Sequence, residues 1–236
     1  ANTKLALSVQ KDMLPLLGGA KDVYSTLTDK DVIDADLFVV PAVDAFSSGV
    51  GAEFLCAPRL DNLLSVYSSL NAIINSTPKD IAVCCCFDNE EVGSETKQGA
   101  ASNILSMLLR KINRAFMKND DDFTFATENG VLLSSDNAHA VHPSFPEKSD
   151  VTEKVYLNKG VVIKHHVNYS TDALSSAVVK TLLKKENIEA QDYYNNSDVR
   201  CGSTIGLVTS ADLNMNACDV GIAQLAMHSG VETAGA

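Results

Sequence analysis

Strands alternating with helices predict an α/β fold, a layered, mostly parallel or mixed sheet flanked by helices. Three observations carry this reading. Unbroken apolar runs of strand length recur, as at 81–87, 131–133 and 161–163. Stretches with apolar residues three and four apart follow several of them. Acidic residues stand at the carboxyl ends of the runs, where open α/β sheets build their sites.

Residues 1–35 are weakly patterned, with Leu5, Leu7, Val9 and Leu14 preceding a Gly18-Gly19 turn. A strand is expected at 37–40, ended by Pro41, then a loop over 47–51. A short strand at 53–56 is stopped by Pro58. Beyond it Leu60, Leu63, Leu64, Tyr67, Leu70 and Ile74 fall at helical spacing, which sets Arg59, Asp61 and Asn62 at the start of a helix. Residues 81–87 have the length and apolar character of a strand buried on both faces, so Cys84, Cys85 and Cys86 are expected as buried, reduced packing residues. Consecutive strand side chains point to opposite faces, so these three thiols cannot converge on one ion. An acidic turn, 88–95, and an amphipathic helix through Leu105, Leu108, Leu109, Ile112 and Phe116 come next. The polar stretch 118–122 reads as a loop. Strands follow near 131–133, 160–164 and 217–221, with a helix through Ala173, Leu174, Ala177, Val178 and Leu182. Cys201-Gly202-Ser203-Thr204-Ile205-Gly206 reads as a glycine-punctuated turn.

Composition narrows the function. The chain is 45% hydrophobic and 21% charged, enough for one sizeable core. Its net charge of −11 argues against nucleic acid, because binding phosphates takes clustered Lys and Arg. No apolar run approaches the roughly 20 residues needed to cross a bilayer, and no signal peptide opens the chain, so a cytoplasmic location without membrane contact is expected. The six cysteines show no paired metal-ligand spacing. No glycine-rich phosphate loop follows any strand, which sets a nucleotide-binding function aside.

What remains is a set of carboxylates and imidazoles: Asp61, Glu90, Glu91, Asp136, His139, His142 and His228, each near a strand end or helix start. Adjacent Glu90 and Glu91 leave the backbone in different directions, so one is free to bind a metal while the other handles a proton. Asp136 is followed by two histidines within seven residues. Such a donor set suits a zinc-like ion or a pair sharing a bridging carboxylate, the signature of a hydrolase. Each residue also has an ordinary reading, as a solvated acidic turn, a first-turn aspartate or a surface histidine.

Four blocks also carry a resemblance: Ala57-Pro58-Arg59-Leu60-Asp61-Asn62, Phe87-Asp88-Asn89-Glu90-Glu91-Val92-Gly93-Ser94, Asp136-Asn137-Ala138-His139-Ala140-Val141-His142-Pro143 and Met227-His228-Ser229. Together and in this order they resemble the signature blocks of the aspartyl aminopeptidase family of di-zinc aminopeptidases. The likeness runs from about Asp36 to Ser229. It implies that Asp61 bridges two zinc ions, with Glu91 and His228 on one and Asp136 on the other. It implies that Glu90 is the general base, drawing a proton from a metal-bridging water that attacks the first peptide bond of a peptide substrate. His139, Lys164 and Tyr169 match residues that the family uses around the substrate, with Lys164 as a cation for an acidic group.

The family pattern also has a zinc-ligating histidine well upstream of the Asp61 block, and no histidine precedes His139 here. The resemblance therefore implies two zinc ions in a complete subunit, but one site without its histidine in this chain. On this reading residues 1–35 are the remnant or tail of an inserted dimerisation domain, and 36–236 are a metallopeptidase catalytic domain incomplete at both ends. The expected function is zinc-dependent removal of amino-terminal residues, acidic ones among them, by a homo-oligomer, with little activity from residues 1–236 alone. The alternative is a catalytically incomplete relative that serves as an assembly or binding subunit.

Overall fold

The computed structural model describes residues 6–18 and 22–236; Leu5 and Gly19 of the amino-terminal stretch lie outside them. The chain divides into two units, Ala1–Ala42 and Val43–Ala236. The described part of the first holds two short helices, α1 (Val9–Asp12) and α2 (Val23–Leu27). Asp22 caps α2 by accepting from the Ser25 amide. The strand expected at 37–40 does not form. All four residues are exposed and no described strand lies alongside, so their β-forming side chains have no ladder to join.

The second unit begins with β1 (Phe46–Ser48), β2 (Phe54–Ala57), α3 (Leu60–Asn75), α4 (Ile104–Ala115), α5 (Asp120–Glu128) and β3 (Val131–Ser135). It continues with β4 (Ala138–His139), β5 (Val161–His165), α6 (Ala173–Lys185) and β6 (Ala190–Tyr194). It ends with α7 (Ile205–Leu213), β7 (Asn216–Gly221), β8 (Ala223–Leu225) and β9 (Glu232–Gly235). Two sheets result, one ordered β1-β2-β9-β8-β4 and the other β3-β7-β5-β6. Both are mixed: β3–β7, β5–β6 and β4–β8 are parallel, whereas β1–β2, β2–β9, β8–β9 and β5–β7 are antiparallel. The expected α/β class with a mixed sheet and flanking helices is therefore what forms.

The core sits where both faces of a strand are covered. Val162 and Ile163 of β5 and Cys218 of β7 are fully buried. Val162 joins Tyr169, Tyr193 and Ala223 on one face, while Ile163 and Cys218 pack on Val179 of α6 on the other. Burying an aliphatic side chain of this size contributes about 1.5–3 kcal/mol, so β5 anchors the second sheet. A third cluster joins Leu105 of α4, Phe123 of α5 and Leu213 of α7.

Several expectations are corrected. Residues 81–87 form no ladder, and Ile81 and Val83 are exposed. Cys84 is half-buried and Cys85 and Cys86 are exposed, not the buried packing residues expected. An apolar run becomes a buried strand only with neighbours on both edges and cover on both faces, and among the described residues this run has neither. The loop expected over 47–51 is partly β1, which pairs with β2. The loop expected over 118–122 is the start of α5. Asn119 accepts from the Asp122 amide and Asp122 accepts from the Asn119 amide, so the acids form a first helical turn. Among the described residues no helix is long and apolar enough to cross a membrane.

Candidate metal and active site

Four elements of the second unit deliver the candidate residues. Asp61 opens α3 directly after β2, and Arg59 before it takes a left-handed conformation with φ 59°. The Asp61–Asn62 peptide is cis. Asn62 donates to the Ser135 carbonyl at 2.8 Å, tying the start of α3 to the end of β3. Glu90 and Glu91 sit on a turn closed by its own polar groups. The Gly93 amide donates to the Glu90 carbonyl, and the Asn89 amide group donates to Thr96 Oγ1 at 3.0 Å. Gly93 has φ 129°, open to glycine and strained for other residues. Asp136 follows β3, and His228 lies in the β8–β9 loop with φ 66°.

Asp61, Glu91 and His228 converge, each offering one donor atom, and these atoms all lie within 4.8 Å of one another. His228 Nε2 is 3.0 Å from Asp61 Oδ2 and 2.9 Å from Glu91 Oε1. Burial opposes the charging of His228, but Glu91 and Asp61 outweigh it and hold its pKa above the ordinary 6.5. The Asp61 side chain is only 4% exposed, and its Oδ1 is buried without a hydrogen-bond partner among the described residues. Burial, then the nearby charges of Asp136 and Glu91, push its pKa up to about 7. Such crowding of carboxylates around an orphaned oxygen is relieved by a cation. Two carboxylates and an imidazole are donors that suit zinc, so the residues fit this metal.

The remaining candidates surround this trio. Burial, then the charges of Glu91 and Asp136, lift the Glu90 pKa above its ordinary 4.5. Lys164 is 3% exposed on β5. Its ammonium donates to Asp136 Oδ2 at 2.9 Å and to the carbonyls of Asp136 and Asn137, so its three protons are engaged within the protein. His139 stands on β4, where desolvation and then the Lys164 charge hold its pKa below 6.5. The Tyr169 ring lies under the Lys164 ammonium at 5.2 Å, and its hydroxyl accepts from Cys201 at 3.3 Å. Burial first, then that thiol, raise its pKa. His142 lies tilted against the Phe145 ring at 5.2 Å and accepts the Ser144 amide, and it is not one of the trio.

Two buried polar residues next to the site were not anticipated from sequence. Asn137, 1% exposed, donates to the Leu60 carbonyl and to Gln224 Oε1. Glu232, 2% exposed, accepts from the backbone amides of Asp61 and His228. The one trace of Glu232 in the sequence is its place four residues after His228.

A donor trio of this kind at strand and helix ends of a mixed α/β fold places the chain in the class of α/β proteins with a candidate metal-binding site. The sequence pattern of the family described as aminopeptidase I zinc metalloprotease (M18) matches residues 7–236, and the chain belongs to that family. It is 39% identical to a "Probable M18 family aminopeptidase 2" of Clostridium novyi, over 97% of this chain and 56% of that protein. It is 40% identical to the protein of the same name from Mycobacterium leprae, over 87% of this chain and 49% of that protein. Among solved structures, an M18 aminopeptidase from Thermotoga maritima superimposes with a TM-score of 0.78 at 25% identity, covering 83% of this chain and 46% of that one. A structure described as the S. cerevisiae mApe1 dodecamer superimposes with a TM-score of 0.71 at 28% identity, covering 82% and 44%. The chain thus spans about half the length of the relatives it matches.

Proposed function

We propose that this chain carries the zinc-binding and catalytic groups of an aminopeptidase that removes amino-terminal residues, acidic ones included, from peptides. The observation that carries the reading is the convergence of Asp61, Glu91 and His228 around the orphaned Asp61 Oδ1. Zinc held there supplies a Lewis acid that polarises a carbonyl and acidifies water. Glu90 is the general base. It adjoins a ligand without being one of the trio, and the charges of the whole cluster reach it. Asp136, clamped by Lys164, is the carboxylate of a second metal position, and His139 and Tyr169 flank the substrate. The relative described as a dodecamer supports a homo-oligomer.

Only one donor trio occurs among the described residues, so one tight zinc equivalent is expected from the isolated chain. Titration of the metal-stripped chain against a chromogenic chelator reads this directly. Asp61→Asn and His228→Ala abolish tight binding if the reading is right, and unchanged binding by either variant refutes it. Two tight equivalents would show that a second site is already complete. The single trio also favours the alternative of a non-catalytic subunit. That alternative holds if a zinc-loaded protein extended to the length of its relatives hydrolyses no member of a panel of aminoacyl amides.

A further inference from the structure

Glu232 opens β9, opposite Ala57 of β2 in the ladder, and with Ala234 it faces the cluster formed by Ala57 and Leu60. The alternation of β9 therefore calls for an apolar side chain at this position, yet it holds a carboxylate that is 2% exposed. No cation lies within ion-pair distance of it among the described residues. A buried carboxylate without a cation is costly unless hydrogen bonds compensate it. Both oxygens are used: Oε2 accepts the Asp61 amide at 2.8 Å and Oε1 accepts the His228 amide at 2.6 Å.

Those two amides belong to two of the three residues of the trio, which are 167 positions apart in sequence. Each sits on backbone that needs external support. Asp61 stands at a kink at the start of α3, with non-helical angles of φ −81° and ψ 112°, and its amide is satisfied by Glu232. His228 is held at φ 66°, a left-handed conformation that is disfavoured in a residue other than glycine and persists only where neighbours enforce it. We propose that Glu232 is a positioning residue for the metal site: one rigid carboxylate grips the backbones that carry Asp61 and His228 and fixes the spacing of their donor atoms before metal arrives. It touches neither metal nor substrate. The inference rests on the trio being the metal site proposed above.

The test is a zinc titration of the whole chain, read beside its unfolding midpoint in the metal-free state. In Glu232→Gln the amide keeps one acceptor but turns an N–H toward one of the two backbone N–H groups, so one grip is lost. Supporting partners of metal ligands are worth 10–100-fold in metal affinity, and that loss is expected here. Asp219→Asn is the control for a merely structural role. Asp219 is equally buried and accepts from the Ser170 amide, the Ser170 hydroxyl and Thr204, but it holds no residue of the trio. That variant should lose stability and keep its zinc affinity within about twofold. Cobalt(II) in place of zinc adds a visible absorption that follows coordination geometry, expected to change in Glu232→Gln and not in Asp219→Asn.

If the parent binds zinc through Asp61 and His228 and Glu232→Gln binds it equally well, the proposal is overturned and the site stands. If His228→Ala leaves zinc binding by the parent unchanged, the site itself is wrong and the proposal falls with it. Should Glu232→Gln not fold, the metal-free parent decides by NMR. Slowly exchanging, downfield-shifted amide protons at both Asp61 and His228 support the grip, and rapid exchange at either overturns it.

Discussion

Asn137→Ala is expected to cost about 3 kcal/mol of stability, a figure worked from three hydrogen bonds. Asn137 donates through one amide nitrogen to the Leu60 carbonyl at 2.8 Å and to Gln224 Oε1 at 2.7 Å, and its oxygen accepts from Ser65 at 3.3 Å. Gln224 is fully buried and Ser65 is 2% exposed, so water cannot replace what the substitution removes. Two buried acceptors are left without donors, each worth roughly 1–3 kcal/mol; their sum, about 2–6, is reduced by local relaxation. For a unit of this size each kcal/mol moves the thermal midpoint by about 2–4 °C, giving a fall of about 6–12 °C. Ser65→Ala removes only the longest of the three bonds and leaves one buried acceptor, Asn137 Oδ1, in place of two, so it should cost less, about 1 kcal/mol. Urea unfolding with the slope checked for constancy measures both. A loss below 0.5 kcal/mol for Asn137→Ala, or equal losses for the two variants, would show that Asn137 is not the hub that joins α3, β4 and β8.

Asp172 caps α6, accepting the Ser175 amide at 2.7 Å in a reciprocal capping box, so Asp172→Ala should cost about 1 kcal/mol. The Ser175 amide holds the Asp172 pKa below its ordinary 3.8 in the folded chain. A depressed folded-state pKa contributes stability above 3.8 that is lost as pH falls, so the gap between parent and variant should be flat from pH 8 to 4 and close below that; a gap that widens in acid contradicts the cap. Glu90→Gln, in a form of the protein as long as its M18 relatives, should lower kcat for aminoacyl amides by about 10²–10⁴-fold with zinc content unchanged. Zinc loss with that substitution, or full activity, would move the base elsewhere.

The parts of the fold legible in the sequence are those whose signal is local. Residues 161–163 read as a strand because β5 is covered on both faces, and the spacing from Leu60 onward marked α3. Asp61, Glu91 and His228 were nameable because metal chemistry restricts the side chains that serve it, and four blocks in one order are a specific pattern. The failures are non-local. An apolar run such as 81–87 states only that a strand is possible there, while pairing depends on what lies beside it. β6, α7, β8 and β9 were missed because 190–194, 223–225 and 232–235 are polar or glycine-containing, and α7 mixes apolar residues with Thr209, Ser210 and Asp212 without an amphipathic period. Asn137 and Glu232 escaped for a related reason. Their importance lies in backbone groups they bond, and backbone groups leave no mark on side-chain identity.

The grip of Glu232 on Asp61 joins residues 171 positions apart, and the β2–β9 ladder spans a similar interval. Closing so large a loop costs entropy before any contact rewards it, which makes these among the late events of folding. During synthesis the β3-β7-β5-β6 sheet is complete in sequence once residue 221 has emerged, whereas the first sheet waits for 232–235. A nascent chain therefore carries its acids, folded in part, before the strand that brings Asp61 and His228 together exists. A chain interrupted before β9 can therefore hold one complete sheet and much of its core while it lacks the carboxylate that bonds the backbones of Asp61 and His228.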